Sequence, residues 1–251
     1  MTRLMMHGCN GAMGQVISNI VAEMDGVEIA AGVDAVDNRN NGYPVFTNID
    51  DCNVEIDAIV DFSAAPAVDH LLEYAVRTKT PVVLCTTGLS EEQLKKAEEA
   101  SKEVAVLRSA NMSLGINTLM KLLKEAASVL APAGFDIDIV EKHHRKKVDA
   151  PSGTALALAD SINEAMGNEY EYVYDRSGRR IQRPKKEIGL SAVRGGTIVG
   201  EHEVIFAGTD EVIELKHTAY SKAVFGKGAV EAAVFLAGKP AGLYNMSHVI
   251  G

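Results

Sequence analysis

The sequence predicts an α/β protein whose first half is a parallel sheet covered by helices on both faces and whose second half is of α+β type. Three observations carry this. Short apolar runs alternate with helix-period segments as far as residue 108. Glycines gather where the first of those runs stops. Beyond residue 112 the pattern changes to long helices and to strands that alternate apolar with polar residues.

Leu4 to His7 is the first apolar run and stops at Gly8; Val16, Ile17, Ile20, Val21 and Met24 then recur three and four apart, as on a helix. Val27 to Val33 is a second strand, ending at Asp34, and Ile56 to Phe62 a third. Pro66 to Lys79 is a helix, and Pro81 to Cys85 a fourth strand closed by Thr86-Thr87-Gly88. Ser90 with Gln93 three residues on forms a capping box for the next helix, and Val104 to Leu107 is a fifth strand. Residues 35 to 55, rich in Asn and Asp, show no helix. In the second half, Leu114 to Leu130 and Ser152 to Met166 are helical, and Phe135 to Val140 is a half-exposed strand. Residues 170 to 186 carry six Arg or Lys and few aliphatics, which suggests an exposed loop, with a lid or subunit contact as the alternative. Ile188 to Val193, His202 to Phe206 and Val212 to Lys216 suggest antiparallel strands, and Gly228 to Leu236 a final helix, whose return to the first domain periodicity alone does not show. The expected division is 1–112 plus 222–251 for one domain and 113–221 for the other.

The 251 residues include 47% hydrophobic and 24% charged ones, enough for a core and too apolar for global disorder. A net charge of −9 argues against nucleic acid and anionic membranes as partners. Cys9, Cys52 and Cys85 are odd in number and widely spaced, which fits a reduced, cytoplasmic setting. No run of 18 apolar residues occurs, so no membrane span is expected.

Gly8-Cys9-Asn10-Gly11-Ala12-Met13-Gly14 stands at a strand-to-helix junction. Its first glycine is displaced by one from the Gly-x-Gly-x-x-Gly pattern, but the physical need is the same. A turn without side chains lets backbone approach a diphosphate, and the helix N-terminus supplies N–H groups. Asp34, 20 residues after Gly14, is placed to accept hydrogen bonds from adenosine ribose hydroxyls. With five alternating strands, these features make the first domain Rossmann-like and dinucleotide-binding. Ala35 beside the acid offers no cation to a 2′-phosphate, whereas Arg39 lies further along the same loop. NADH is therefore the expected preferred cofactor, with NADPH also accepted. Cys85, Thr86 and Thr87, and Ala110, Asn111 and Met112, follow the fourth and fifth strands and face the same crevice.

Glu141-Lys142-His143-His144-Arg145-Lys146-Lys147 sets four fixed positive charges and two histidines in an acidic protein. A charge run alone is a solvated surface. Here Asp149-Ala150-Pro151-Ser152-Gly153-Thr154 follows just before a helix, with Ser152 as N-cap and Gly153 and Thr154 presenting N–H groups. The pair of features suits a small substrate carrying carboxylates. His143 or His144 can transfer a proton near neutral pH, and Lys147 can fix a carboxylate or polarise an imine. Adjacent histidines without a Cys or carboxylate cluster do not have zinc-site spacing, so no metal is expected.

The run from Glu141 to Ala155 resembles the signature of the 4-hydroxy-tetrahydrodipicolinate reductase (dihydrodipicolinate reductase) family of the diaminopimelate–lysine pathway. Asp61-Phe62-Ser63, Thr86-Thr87-Gly88, Arg194 to His202 and Phe225 to Ala229 carry the resemblance along essentially the whole chain. It implies His143 and Lys147 as catalytic residues, and His144, Gly153 and Thr154 as the holders of the substrate carboxylates. It implies Gly8 to Gly14, Asp34, Thr87 and Ala110 to Met112 as cofactor positions, the second domain as the substrate-binding and oligomerisation unit with a mixed or antiparallel sheet, and a homotetramer. Ala12, Ala35 and Ala65 stand where many members carry a basic residue, which agrees with a preference for NADH. Two other readings stay open at this level: another two-domain NAD(P)-dependent reductase, or a protein that senses NADH without turning over a substrate.

Overall fold

A computed structural model describes residues 1–251, which form two compact units, Met1–Leu114 with Ala223–Gly251, and Gly115–Lys222. In chain order the first stretch holds β1 (Thr2–His7), α1 (Ala12–Ala22), β2 (Val27–Val33), β3 (Val45–Phe46), β4 (Ala58–Asp61), α2 (Val68–Thr78), β5 (Val82–Leu84), α3 (Glu91–Ser101) and β6 (Ala105–Leu107). Then come α4 (Leu114–Leu130), β7 (Asp136–His143), α5 (Gly153–Ala165), β8 (Glu171–Val173), β9 (Glu187–Arg194), β10 (Gly200–Ala207) and β11 (Val212–Ala219). The chain closes with α6 (Ala223–Leu236), β12 (Gly242–Tyr244) and α7 (Met246–Ile250).

The first unit is a seven-stranded sheet in the order β3-β2-β1-β4-β5-β6-β12, every pair parallel. Successive side chains of a strand point to opposite faces, and both faces are filled. Leu4, Met6, Val60, Val83 and Leu107 join the core shared with α1 and α6. Met5, Ile59, Val82, Leu84 and Val106 join the core shared with α2 and α3. This two-sided burial is why the strands are unbroken apolar runs. The chain leaves β1 outward to β2 and β3, then restarts on the other side at β4. That reversal opens a crevice at the carboxyl ends of β1 and β4, where open α/β sheets bind ligands.

Several boundaries differ from expectation for local reasons. The Pro66 to Lys79 helix begins as a 3₁₀ turn, Ala65–Ala67, and ends at Lys79, whose φ of 55° is left-handed. The capping box at Ser90 and Gln93 forms on α3. Residues 35 to 55 hold no α-helix but contribute β3 and a 3₁₀ turn, Ile49–Asp51. β12 is a three-residue strand, too short to carry a periodicity, and the sheet edge at β6 completes it.

The second unit has a five-stranded sheet, β11-β10-β7-β9-β8. The β10 pairs are antiparallel, whereas β7–β9 and β8–β9 are parallel, so the sheet is mixed; Ile188 to Val193 is not an antiparallel strand. Helices α4 and α5 cover one face, where Leu123, Leu158, Ile137, Ile139, Val204 and Phe206 are buried. One covered face explains the strict alternation of β7 and β10.

The basic stretch 170 to 186 is not simply an exposed loop. It contains β8, and three of its arginines are tied down. Arg176 reaches the buried Glu187 at 2.6 Å, and Arg179 spans Glu171 and Glu187. Arg183 donates to Asp138 at 2.5 Å and to the carbonyls of Ile137 and Glu187. Gly189 pairs with Asp138 in register, and a Cβ there would collide with that carboxylate. Beyond β8, residues 174–186 hold no helix or strand and are mostly exposed, as the polar composition suggested, and the arginines anchor this loop to acids of the second unit.

Candidate active site

In the first unit the glycine loop is built by backbone. Gly8 has a φ of +84°, and its N–H donates to Val33 O at 2.8 Å. A Cβ on Gly8 would stand 2.6 Å from Phe62 O, and one on Gly14 would stand 2.5 Å from Cys9 O. Only glycine fits at either position. Gly11 caps α1 without a side-chain hydrogen bond, and the first turn carries no acid, so no side chain of the helix start competes for its first N–H groups. Asp34 Oδ2 accepts from Asn10 N at 2.8 Å and Oδ1 from Ala35 N at 2.8 Å, each oxygen keeping a second lone pair. Gln15, Asn10 and Asn41 form a chain of side-chain hydrogen bonds that holds the loop after β2 against the glycine turn.

An open groove of about 750 Å³ lies over this turn, lined among others by His7, Gly8, Asn10, Gly11, Asp34 and Arg39. Ala12, Met13 and Gly14 start α1 behind the groove wall and do not line it. Cys85–Thr87 follow β5, and Ala110–Met112 follow β6, at the same sheet end but outside this groove. Met112 is a core side chain whose carbonyl packs against Gly228. Burial pushes the Cys85 thiol well above its ordinary range, so it is an apolar neighbour and no nucleophile. The cradle that Cβ atoms would fill, the helix N-terminus and the Asp34 carboxylate together fit a dinucleotide.

In the second unit the basic signature leaves the end of β7. Glu141 and His143 are two apart on a strand and so share a face, and both are buried. Glu141 accepts four hydrogen bonds: from Arg194 Nη1 and Nη2 at 2.7 and 2.6 Å, from His143 Nδ1 at 2.7 Å, and from Ser152 N at 2.9 Å. Burial opposes its charge, but the bonds from Arg194, His143 and Ser152 prevail and hold its carboxyl below the ordinary range. With Nδ1 committed to Glu141, Nε2 is the nitrogen of His143 left to exchange a proton. Gly200 lies beside it, and a Cβ there would be 3.1 Å from Nε2.

Beyond His143 the chain turns, with Lys147 N donating to His144 O at 3.1 Å. Lys147 Nζ meets Asp149 Oδ1 at 2.9 Å. The Asp149 carboxyl is held below its ordinary range by Lys147 first. A carboxylate of the chain itself thus pairs with the lysine, four residues ahead of α5. Ser152 caps α5, its Oγ accepting from Ala155 N at 3.2 Å, and lies 3.1 Å from His202 Nε2. His144 Nδ1 is buried without a partner. The sequence-derived residues His143, His144, Lys147, Gly153 and Thr154 therefore lie on one β7–α5 segment. Glu141, Arg194 and His202 escaped assignment. The spacing of two to His143 was a usable signal for Glu141; Arg194 and His202 come from β9 and β10, and no local pattern marks them.

Comparison with known proteins agrees with this geometry. The family described as dihydrodipicolinate reductase, N-terminus, matches residues 2–112, and dihydrodipicolinate reductase, C-terminus, matches 115–250. The 4-hydroxy-tetrahydrodipicolinate reductase of Caldanaerobacter subterraneus is 53% identical over 100% of this chain and 98% of its own length. That of Clostridium tetani is 50% identical over 98% and 96%. A solved dipicolinate-bound dihydrodipicolinate reductase from Paenisporosarcina shares the fold at a TM-score of 0.79 and 24% identity, covering 98% of this chain and 97% of that one. With both of its halves matched in order and half of its residues shared with such relatives, the chain belongs to the dihydrodipicolinate reductase family.

Proposed function

We propose that this protein reduces 4-hydroxy-tetrahydrodipicolinate, by way of dihydrodipicolinate, to tetrahydrodipicolinate, using NAD(P)H, in lysine biosynthesis through diaminopimelate. The observation that carries the substrate class is the Asp149 carboxylate held by Lys147 just ahead of the N-terminus of α5. A site that binds one carboxylate of its own chain is built to exchange it for a carboxylate of the substrate.

The groove over the glycine turn holds the cofactor, which supplies a hydride when bound. Loss of water from the substrate leaves a conjugated ring; one hydride and one proton then give the product. Glu141 fixes the tautomer and orientation of His143, so that Nε2 is the atom holding the proton that accompanies reduction. Lys147 and the α5 N-terminus bind substrate carboxylate and offset the negative charge carried by the ring during transfer. His144, Gly153 and Thr154 complete the carboxylate contacts. Asp34 with Ala35 favours NADH, and Arg39, also lining the groove, allows NADPH to be accepted. Asn10, Cys85 to Thr87 and Ala110 to Met112 are assigned to the rest of the cofactor on their place at the sheet's carboxyl end.

The second sheet's face opposite α4 and α5 carries Val140, Val193 and Ile205 with no helix of its unit over it, which supports a homotetramer through that unit. No helix is long and apolar enough to cross a membrane. Three free cysteines fit the cytoplasm.

The test is NADH and NADPH oxidation with substrate generated in place by the preceding synthase. Rapid oxidation, faster or tighter with NADH, is expected. No oxidation of either, with the synthase verified active, overturns the reading.

A further inference from the structure

His7 and Asp61 occupy an unexpected place. In register, Val33, His7, Asp61 and Leu84 form the last row across β2, β1, β4 and β5. The row faces α2 and α3, where Val33 and Leu84 belong to the core, and the row beneath it, Met5, Ile59 and Val82, is wholly apolar. Between them His7 Nδ1 meets Asp61 Oδ1 at 2.7 Å, with side chains only 9% and 0% exposed. The same oxygen accepts Ser63 N at 3.2 Å and Ser63 Oγ at 2.6 Å, while Oδ2 is buried without a partner. Burial opposes the Asp61 charge, but His7 and the hydrogen bonds from Ser63 keep its carboxyl below the ordinary range.

A buried ionisable pair in an apolar row is a poor stability device, since an apolar pair of similar volume serves as well or better. The pair does have an outlet, because His7 lines the groove beside Gly8 and Gly11. Arg39, in the loop after β2, is the one Lys or Arg that lines the groove. No Lys or Arg occurs from Gly8 to Gly14. His70 is engaged by Asp50 at 3.0 Å, and Asp34 is acidic.

We propose that His7 is a phosphate-binding residue of this groove, with Asp61 as its positioning residue. Asp61 holds Nδ1–H, and Nε2–H of the resulting imidazolium donates to the cofactor's diphosphate. The proposal rests on the groove being the dinucleotide site. A dianionic diphosphate facing the ring favours its protonated form, so binding takes up a proton and weakens as pH rises. The other titratable or charged groups around the ring are Asp61 on β4, Asp34 after β2, Arg39 in the following loop, His70 on α2, and the thiol of Cys85 after β5, which burial keeps neutral.

The test uses ADP-ribose, whose diphosphate diester takes up no proton of its own between about pH 6 and 8.5, with adenosine as the phosphate-free control. By titration calorimetry of the full chain, ADP-ribose should bind about tenfold tighter at pH 6 than at pH 8.5, equivalent to about 1.4 kcal/mol. Its binding heat near pH 7.5 should depend on buffer ionisation enthalpy, as proton uptake requires. His7→Asn keeps an amide hydrogen bond to Asp61 but has no second nitrogen in the groove. It should abolish the pH slope and the uptake for ADP-ribose, and leave adenosine unaffected. His70→Asn should retain both. A flat wild-type profile, or the same slope in His7→Asn, overturns the role of His7 and leaves the groove assignment standing. Failure of the wild type to bind ADP-ribose and NADH at all overturns the groove assignment, and this proposal with it. If His7→Asn does not fold, the wild-type proton uptake decides alone.

Discussion

Acidification should destabilise this protein through His202 before its carboxylates titrate. The ring is 4% exposed, with Nε2 on Ser152 Oγ at 3.1 Å, Nδ1 unpartnered, and the His143 ring 5.1 Å away edge-on. Burial is the largest cause of its shift, followed by repulsion from His143. Glu141 attracts, His217 and Lys147 repel, and the net result moves the ordinary value of 6.5 down to about 4. Because the folded value is the lower one, the unfolded chain takes up a proton first as pH falls. The contribution to stability is whole above pH 6.5 and drains away toward pH 4. With those two values, linkage removes about 2–3 kcal/mol between pH 7.5 and 4.5. Urea unfolding followed by circular dichroism, at half-unit pH steps, measures this in the wild type and in His202→Gln. The variant's stability should depend less steeply on pH by about that amount. Glu141 contributes stability that is lost only as pH falls below its unfolded value of 4.5, and it is present in both proteins. Parallel stability–pH curves would refute the account of His202 as a dry, neutral ring.

Three further outcomes are expected. Glu141→Gln puts an amide NH₂ against donors that now share a carboxylate, so stability should fall by about 3–5 kcal/mol and kcat by at least about tenfold; urea melts and steady-state kinetics measure both, and an unchanged kcat would remove Glu141 from the orientation of His143. Gly14→Ala forces a methyl against the Gly8 and Cys9 carbonyls, so NADH affinity, read from nicotinamide fluorescence, should drop by at least about tenfold. Asp149→Asn frees Lys147 from its internal carboxylate, and pyridine-2,6-dicarboxylate should bind about 1 kcal/mol more tightly; weaker binding in calorimetry would show that Asp149 does not compete for that position.

The substrate segment was legible because its residues are contiguous. His143, Lys147 and Gly153 lie within one strand–turn–helix, and Ser152 caps the helix as its side chain predicts. The groups that tune them were not. Arg194 and His202 reach Glu141 and Ser152 across the mixed sheet, from 53 and 50 residues away. The tying of Arg183 to Asp138 spans 45 residues and leaves no trace in local composition.

Elements whose cause is local could be read directly. The first sheet's strands are apolar throughout because both faces are covered, α3 starts at its capping box, and the glycine turn needs residues without Cβ atoms. What only the tertiary structure decided is pairing. It made β9 parallel to β7, brought β12 to the edge of the first sheet, and set His7 beside Asp61 in the last row of four strands. Register between strands remote in sequence is chosen by packing and hydrogen bonding summed over the whole sheet, and no window of neighbouring residues contains that sum.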